Sequence, residues 1–417
     1  MSTAAPSPKP RTLWLVGALH AFTHVYYVAL IPLYLLVQRD FQFASVGQAT
    51  SLVTVQMIAY FVPSYLLGVL ADRVSRKKLL GYGLAINGLG YVALALSPNY
   101  ACAVASVILA GIGGSFYHPA ATAMIARLYP VNTGRALGLI GAGASVGFFV
   151  GPLYSGWRAA SLEAVRGAAA WRVPILELGI LGIVAAGIFA WLAHEEQPST
   201  KIEVRGAARS PIFPTTTLWV WFLACAFAFS LRDFAGAGMG TMSSLFLQKA
   251  HGYDARLAGL ALSVLFIVSA ISNPLFGHLS DRGRKRWMAS VTLIGALLMA
   301  SFPLMPGPWL IPCLAAYGFF FMSIYPMVEA ELMQSVPDAV RGRVFGLFIT
   351  VGGFVGNLSH WIVGAQVKRM GEAAQSVAAY QPLYVAIAVL TVLSLLGLPC
   401  LHAIRKREQL EPPPSSA

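Results

Sequence analysis

The chain predicts an all-α membrane protein, twelve transmembrane helices in two pseudo-symmetric six-helix bundles, and three observations carry that prediction. Hydrophobic residues make up 57% and charged residues 11% of its 417 positions, whereas a soluble surface needs about 25% charged residues. Most of the surface therefore faces lipid. Apolar runs of about 20 residues, the length that crosses a bilayer, recur twelve times, roughly at 12–37, 44–70, 78–97, 100–127, 134–157, 173–193, 215–247, 256–279, 287–305, 309–335, 342–365 and 377–403. Finally, the basic loop 68–80, Gly-Val-Leu-Ala-Asp-Arg-Val-Ser-Arg-Lys-Lys-Leu-Leu, has an echo at 277–286, Gly-His-Leu-Ser-Asp-Arg-Gly-Arg-Lys-Arg. Each copy separates the second and third runs of its half.

The net charge of +13 would suit a polyanionic partner, but its placement says otherwise. With the N-terminus in the cytoplasm, 20 of the 29 Lys and Arg fall on the cytoplasmic side, eight fall outside and one, Arg232, lies within a span. This is the positive-inside bias of a membrane protein. It excludes nucleic acid as the partner and places both termini in the cytoplasm, with a bacterial cytoplasmic membrane as the expected location. Cys102, Cys225, Cys313 and Cys400 sit in four different runs, so neither a disulfide framework nor a thiolate metal site is expected. The first run is too long for a signal peptide and lacks a cleavage site. The polar, proline-bearing stretch 194–214 divides an N-terminal bundle, 1–193, from a C-terminal bundle, 215–417, as a cytoplasmic linker.

The first span carries His20 and His24 at i, i+4, with Tyr27 and Tyr34 continuing the same face. A polar stripe at that depth is disfavoured against lipid, so it faces the protein interior or a water-filled cavity. There it either binds substrate or a proton, or only joins helices by hydrogen bonds. The second span ends at Gly68, followed by Asp72, Arg73, Arg76, Lys77 and Lys78, and the repeat places Gly277, Asp281 and Arg282 correspondingly. The pattern Gly-x-Leu-x-Asp-Arg-x-Gly-Arg-Lys resembles the signature loop of the major facilitator superfamily of transporters, with Ser75 where glycine is usual and Gly283 at that place in the second copy. The resemblance implies that Asp72 lies near the cytoplasmic N-terminus of the eleventh span, where the helix dipole favours a carboxylate. It also implies that the basic residues latch an outward-open state.

The fourth span ends in Gly-Ile-Gly-Gly-Ser-Phe-Tyr-His-Pro, 111–119, where Pro119 removes a backbone donor and loosens the helix next to Tyr117 and His118. Gly-Gly-x-Phe-x-His-Pro, together with His20, resembles the fosmidomycin-resistance subfamily. The chain departs from that pattern at His24, where a carboxylate is usual, and at Ala120, where a glutamate often follows. In the fifth span, Gly147-x-x-x-Gly151-Pro152-x-x-x-Gly156 resembles the antiporter motif of facilitator exporters. Read physically, Gly143, Gly147 and Gly151 form a smooth face for close packing and Pro152 supplies a kink.

The seventh span holds the adjacent charges Arg232 and Asp233. Each costs about 2.5–3.5 kcal/mol near a helix centre on insertion scales, so neither faces lipid. Adjacent residues point about 100° apart on a helix and need not neutralise each other fully. Asp233 suits a proton carrier and Arg232 an anion site, the alternative being a structural ion pair. The tenth span repeats the fourth: Pro119 and Pro130 recur as Pro326 and Pro337, Gly134-Arg135 as Gly342-Arg343, and Tyr325 stands where His118 stands. Glu329 and Glu331 come next, one expected to pair with Arg341 or Arg343 as an inner gate and the other to carry a proton. On the eleventh span Gly352, Gly356, His360 and Gly364 share a face, and Glu177 lies near the outer part of the sixth.

Taken together, the reading is a secondary transporter of small organic compounds working by alternating access, as a proton-coupled exporter. The expected substrate-binding residues are His20, His24, Tyr27, Tyr117, His118, Arg232 and Tyr325; the proton-coupling residues are Asp233, Glu329 and Glu331. The gating set is Gly68, Asp72, Arg73, Arg135, Gly151, Pro152, Gly277, Asp281, Arg282 and Arg343. The alternatives are uptake of a small organic anion with a proton and, less favoured, divalent metal transport through His20, His24 and His118. No cofactor, metal site or enzymatic activity is expected, since no phosphate loop or nucleophile elbow is present. Small molecule, protons and bilayer are the partners, and the protein is read as a monomer.

Overall fold

The computed structural model describes residues 10–71, 74–129, 133–194, 211–337 and 340–410. Among them, nine helical stretches are long and apolar enough to cross a membrane. One of the nine, Arg135–Leu192, folds back on itself at Gly167–Trp171, and the helices Val46–Ala71 and Arg76–Ala95 complete twelve. In chain order they are α1 (Pro10–Asp40), α2 (Val46–Phe61 and Ser64–Ala71), α3 (Arg76–Ala95), α4 (Tyr100–Ser115 and Tyr117–Leu128), α5 (Thr133–Arg166) and α6 (Arg172–Leu192). The second set is α7 (Thr216–Ala250), α8 (Ala255–Ile267 and Ser269–Ser280), α9 (Arg284–Ser301), α10 (Leu310–Phe321 and Ile324–Gln334), α11 (Arg341–Met370) and α12 (Gln381–Leu393 and Gly397–Leu410).

Local chemistry explains where these helices start and break. Asn99, Thr215 and Asp254 accept the backbone N–H three residues on and cap α4, α7 and α8. Helix α4 is interrupted at Phe116 and α10 at Met322–Ser323. In each case a proline, Pro119 or Pro326, falls in the first turn of the following segment, where a missing N–H costs nothing. The two signature loops turn differently. Gly283 adopts φ +107°, the left-handed region that favours glycine, whereas Ser75 keeps a negative φ and its hydroxyl accepts from Lys78 N at 3.3 Å. Serine at 75 is therefore a helix cap, a second solution to the same turn. Helices α5 and α7 run beyond the apolar stretches that predicted them. The extra turns of α5 carry Arg158 and Glu163, which pair with Glu177 at 2.9 Å and Arg39 at 2.7 Å.

Helix α1 packs on α5, α2 and α3 on α4, and α3 on α6; in the second set α7 packs on α11 and α9 on α10 and α12. Between the sets, α2 lies against α11 and α5 against α8. Glycine makes these approaches close. A Cβ on Gly143 or Gly147 would strike the carbonyls of Gly17 or Ala21 on α1, and one on Gly156 or Gly259 would strike the backbone of the facing helix. The predicted smooth face of α5 is thus its seam with α1, and α5 continues as one helix through Pro152.

Hydrogen bonds stitch the two sets together from mid-membrane to the face opposite the chain termini. Tyr34 meets Thr241 at 3.1 Å, Ser244 donates to Ile31 O at 2.7 Å, and Ser263 donates to Phe149 O at 2.8 Å. Thr54 donates to Asn357 O and receives Trp361 N, both at 2.9 Å. The longest of these bonds, Thr350 to Phe61 O at 3.5 Å, lies furthest toward the termini.

Candidate functional site

Two groups of polar side chains meet at the centre of this seam. The first is built on α1 and α4. His20, buried, donates from Nδ1 to Ile140 O at 2.8 Å, because a carbonyl can only accept. Its Nε2 therefore holds a lone pair, and His24 Nε2 lies 3.1 Å away and donates into it. That assignment leaves His24 Nδ1 as a bare acceptor, and it is buried without a hydrogen-bond partner. His118, carried in by the break in α4, sets its ring edge-on to His20 and His24 with centroids at 5.2 and 5.9 Å. Ligand nitrogens of the three histidines lie within 4.8 Å of one another. Tyr117 stacks on His20 at 4.6 Å, but its hydroxyl is taken by Val16 O at 2.9 Å, so it supports the imidazole from behind.

The second group is built on α7, α10 and α11. Arg232 donates to Asp233 Oδ1 from Nε at 3.0 Å and from Nη2 at 2.6 Å. The two residues leave the helix in different directions, yet the arginine stem is long enough to fold back, and the pair is closed by two bonds. The Arg232 guanidinium lies 4.1 Å over the ring of Tyr325 and 5.7 Å from Phe229, a cation–π setting that offsets burial of the charge. Its Nη1 is buried and has no hydrogen-bond partner. Asp233 is pressed against α11, where a Cβ on Gly352 would come within 2.5 Å of Oδ2 and one on Gly356 within 2.8 Å of the Asp233 Cβ. Glu329, one turn beyond Tyr325 on α10, is exposed and close enough to interact electrostatically with Arg232 and Asp233.

Tyr27 joins the groups. Its ring touches His24 and Phe148, and its hydroxyl donates to Asn357 Oδ1 at 3.0 Å on the other side of the seam. Asn357 has no place among the sequence-predicted residues, although an amide inside a transmembrane helix is a visible signal. His360, on the predicted face of α11, bonds to the same Oδ1 at 3.2 Å and to Thr241 at 2.5 Å.

The structure redistributes the other predicted residues. Glu331 is buried and pairs with Arg284 at 3.4 Å, which corrects the expected partnership with Arg341 or Arg343. Arg284 starts α9, a helix packed beside α10, and also reaches Gln334 at 2.7 Å and Asp281 at 3.7 Å. Gly277, Asp281 and Arg282 belong to this second loop, with Asp281 and Arg282 exposed. Arg135 and Arg343 sit at the start of α5 and α11. Gly151 packs against Val25 and Val28 of α1, and the Pro152 carbonyl faces Gly259. Gly68 lies in the second segment of α2, while Asp72 and Arg73 lie outside the described residues. Glu177 receives two bonds from Arg158 Nε and Nη2 and one from Tyr154 at 2.6 Å, away from the centre. A hollow of about 590 Å³ between the ends of α1, α5 and α7 lies on the face opposite the termini, also away from the buried charges.

Twelve apolar helices in two related sets, with a histidine cluster and a buried ion pair at the seam between the sets, are the architecture of an integral membrane transporter. The chain belongs to the Major Facilitator Superfamily, which it matches over residues 13–359. It is 25% identical over 308 residues to Multidrug resistance protein 2 of Bacillus subtilis (strain 168), spanning 71% of this chain and 74% of that protein. It is 22% identical over 368 residues to the Fosmidomycin resistance protein of Escherichia coli (strain K12), spanning 87% and 88%. In fold it is similar to a bacterial homolog of the human lysosomal transporter Spinster, solved in an inward-facing and occupied conformation, with TM-score 0.70, 16% identity and 95% and 97% of the two chains covered. The family implied by the two signature loops is thus the family found.

Proposed function

We propose that this chain exports small organic compounds by proton antiport through alternating access, as a monomer in a bacterial inner membrane with both termini in the cytoplasm. On this reading 1–193 and 215–417 are the rocking units and 194–214 the linker between them. The observation that carries it is the Arg232–Asp233 pair at 2.6 Å on the seam. The Asp233 carboxylate can hold either a proton or a cationic group of the substrate but not both, so proton and substrate compete for one group. Two resistance proteins among the relatives, one of them named for multidrug resistance, support export of organic compounds.

The described state would then be inward-facing, sealed outside by the bonds of Tyr34, Thr54 and Ser244. His20, His24, Tyr27, His118, Arg232 and Tyr325 form the substrate surface, with Tyr117 positioning His20. Asp233 is the first proton carrier and exposed Glu329 the second, while Glu331 braces the second loop. The gating residues act at the cytoplasmic face (Gly68, Asp72, Arg73, Arg135, Gly277, Asp281, Arg282, Arg343) and along α5 (Gly151, Pro152). Proteoliposomes with an inside-acid gradient test the reading: substrate-triggered dissipation should occur and be lost in Asp233→Asn, while substrate exchange persists. Flux without proton movement would refute antiport.

A second reading, uptake of a small organic anion with a proton, is favoured by one feature. The buried, unpartnered Nη1 of Arg232 is a ready donor to an oxyanion. The same assay separates the two by the sign of the proton movement.

A further inference from the structure

We infer that His20, His24 and His118 form a binding site for one divalent transition metal ion of the zinc, cobalt or nickel kind, with a fourth coordination position left to a ligand from the space between the halves. This goes beyond the proposed transport activity and does not depend on it. Four-coordinate metal–imidazole bonds are about 2.0–2.1 Å long, which puts ligand nitrogens about 3.3 Å apart in a tetrahedron. His20 Nε2 and His24 Nε2 are already 3.1 Å apart, and the third ligand nitrogen lies within 4.8 Å. A movement of about 1.5 Å by the His118 ring closes the set. That ring sits just after the break in α4 at Phe116, so the segment that carries it is not held by an unbroken helix.

The surroundings are those of a ligand set. The bond from His20 Nδ1 to the Ile140 carbonyl fixes the tautomer that points a lone pair at the cluster, the outer-shell arrangement that orients metal-bound histidines. His24 has one nitrogen that accepts nothing, Nδ1. When a metal takes the His24 Nε2 position, the proton on Nε2 moves to Nδ1, so the ring stays neutral and no proton is released. Three neutral nitrogens without a carboxylate oxygen favour zinc, cobalt and nickel over magnesium and calcium, which require oxygen donors. His24 and His118 are only half-buried, and this leaves an open vertex.

Cobalt(II) titration of the purified full chain, freed of any histidine tag and held in detergent micelles, tests the assignment. The visible bands of four-coordinate cobalt should saturate at one ion per chain, disappear when one equivalent of zinc is added, and persist in excess magnesium. His20→Ala and His118→Ala should abolish them, whereas His251→Ala, in the loop after α7, should leave them intact. Because an alanine variant can fail to fold, His118→Gln is compared by melting temperature. Zinc should raise that of the parent protein and leave that of His118→Gln unchanged. Absence of cobalt bands in the folded parent protein, bands that survive in a folded His118→Gln, or an equal zinc shift in both proteins would overturn the site.

Discussion

Tyr27 on α1 donates from its hydroxyl to Asn357 Oδ1 on α11 at 3.0 Å, and this single bond joins the histidine side of the molecule to the side bearing the buried ion pair. It begins a chain. Asn357 Nδ2 donates to Gly353 O at 2.7 Å, which turns Oδ1 toward Tyr27 and toward His360 Nε2 at 3.2 Å. His360 Nε2 therefore donates, and Nδ1 accepts from Thr241, whose oxygen in turn accepts from Tyr34 at 3.1 Å. The chain leaves α1 at Tyr27 and returns to it at Tyr34, with every side-chain group along it satisfied. The seam closes here through neutral groups, with the Arg232–Asp233 pair outside the chain of bonds.

The ion pair beside that chain is expected to act as a unit in stability. The Arg232 side chain is 3% exposed, and removing one member of a buried pair leaves the other uncompensated at a cost of about 3–5 kcal/mol. Asp233→Asn should therefore lower the thermal midpoint of the purified protein markedly, and Arg232→Gln in the same chain should restore most of the loss. A double variant whose loss equals the sum of the single losses would show that the two groups are not coupled.

Gly353 on α11 faces Phe61 at the lower end of the seam, and an added Cβ would run into the ring. Overpacking costs about 1–3 kcal/mol, and here the cost falls on the state in which the halves touch at this point. Gly353→Ala should shift the population about 5- to 150-fold toward the state open on the opposite face. Spin-label distances across the far ends of α1 and α7 measure this directly, and unchanged distances would mean the ring moves aside.

The two signature loops should respond differently to the same kind of substitution. A side chain at Gly283 must adopt a left-handed backbone at φ +107°, so Gly283→Ala should destabilise the second loop by about 1–2 kcal/mol. Ser75→Gly, which restores the family pattern in the first loop, gives up one cap bond at 3.3 Å and should cost only about a few tenths of a kcal/mol. Chemical denaturation in a mild detergent compares them, and equal costs would contradict the difference in turn chemistry.

How much of this was legible in the sequence depended on the range of the interaction. The spans were legible because apolar length is a local property, and Arg232 and Asp233 because a charge in lipid is costly wherever its partner lies. The prolines at 119 and 326 announced two breaks, though each helix yields about three residues earlier, at Phe116 and Met322–Ser323, since proline is accommodated in the first turn of the next helical segment. Contacts between helices were another matter. Arg341 and Arg343 are nearer to Glu331 in sequence than Arg284 is, yet α9 packs beside α10 and supplies the partner. The amide of Asn357 is visible within its span, but its partner on α1 is 330 residues away. The three histidines converge from α1 and from the segment of α4 that follows the break at Phe116, a meeting of two helices that no local pattern records.

Loss of the Tyr27 hydroxyl gives the most selective test of the seam. Tyr27→Phe keeps the ring packed against His24 and Phe148 and deletes only the bond to Asn357, whose Oδ1 retains His360. The net value of such a bond is about 0.5–1.5 kcal/mol, and it is made only while the halves are closed at this level. The variant should therefore move the population about two- to tenfold toward the far-open state and leave the folding midpoint nearly unchanged. Tyr26→Phe supplies the comparison: its hydroxyl bonds to Leu178 O at 2.8 Å within one half, so its loss should lower stability without moving that population. If both variants changed the spin-label distances alike, the Tyr27–Asn357 bond would be ordinary packing glue and the neutral chain would have no part in closing the seam.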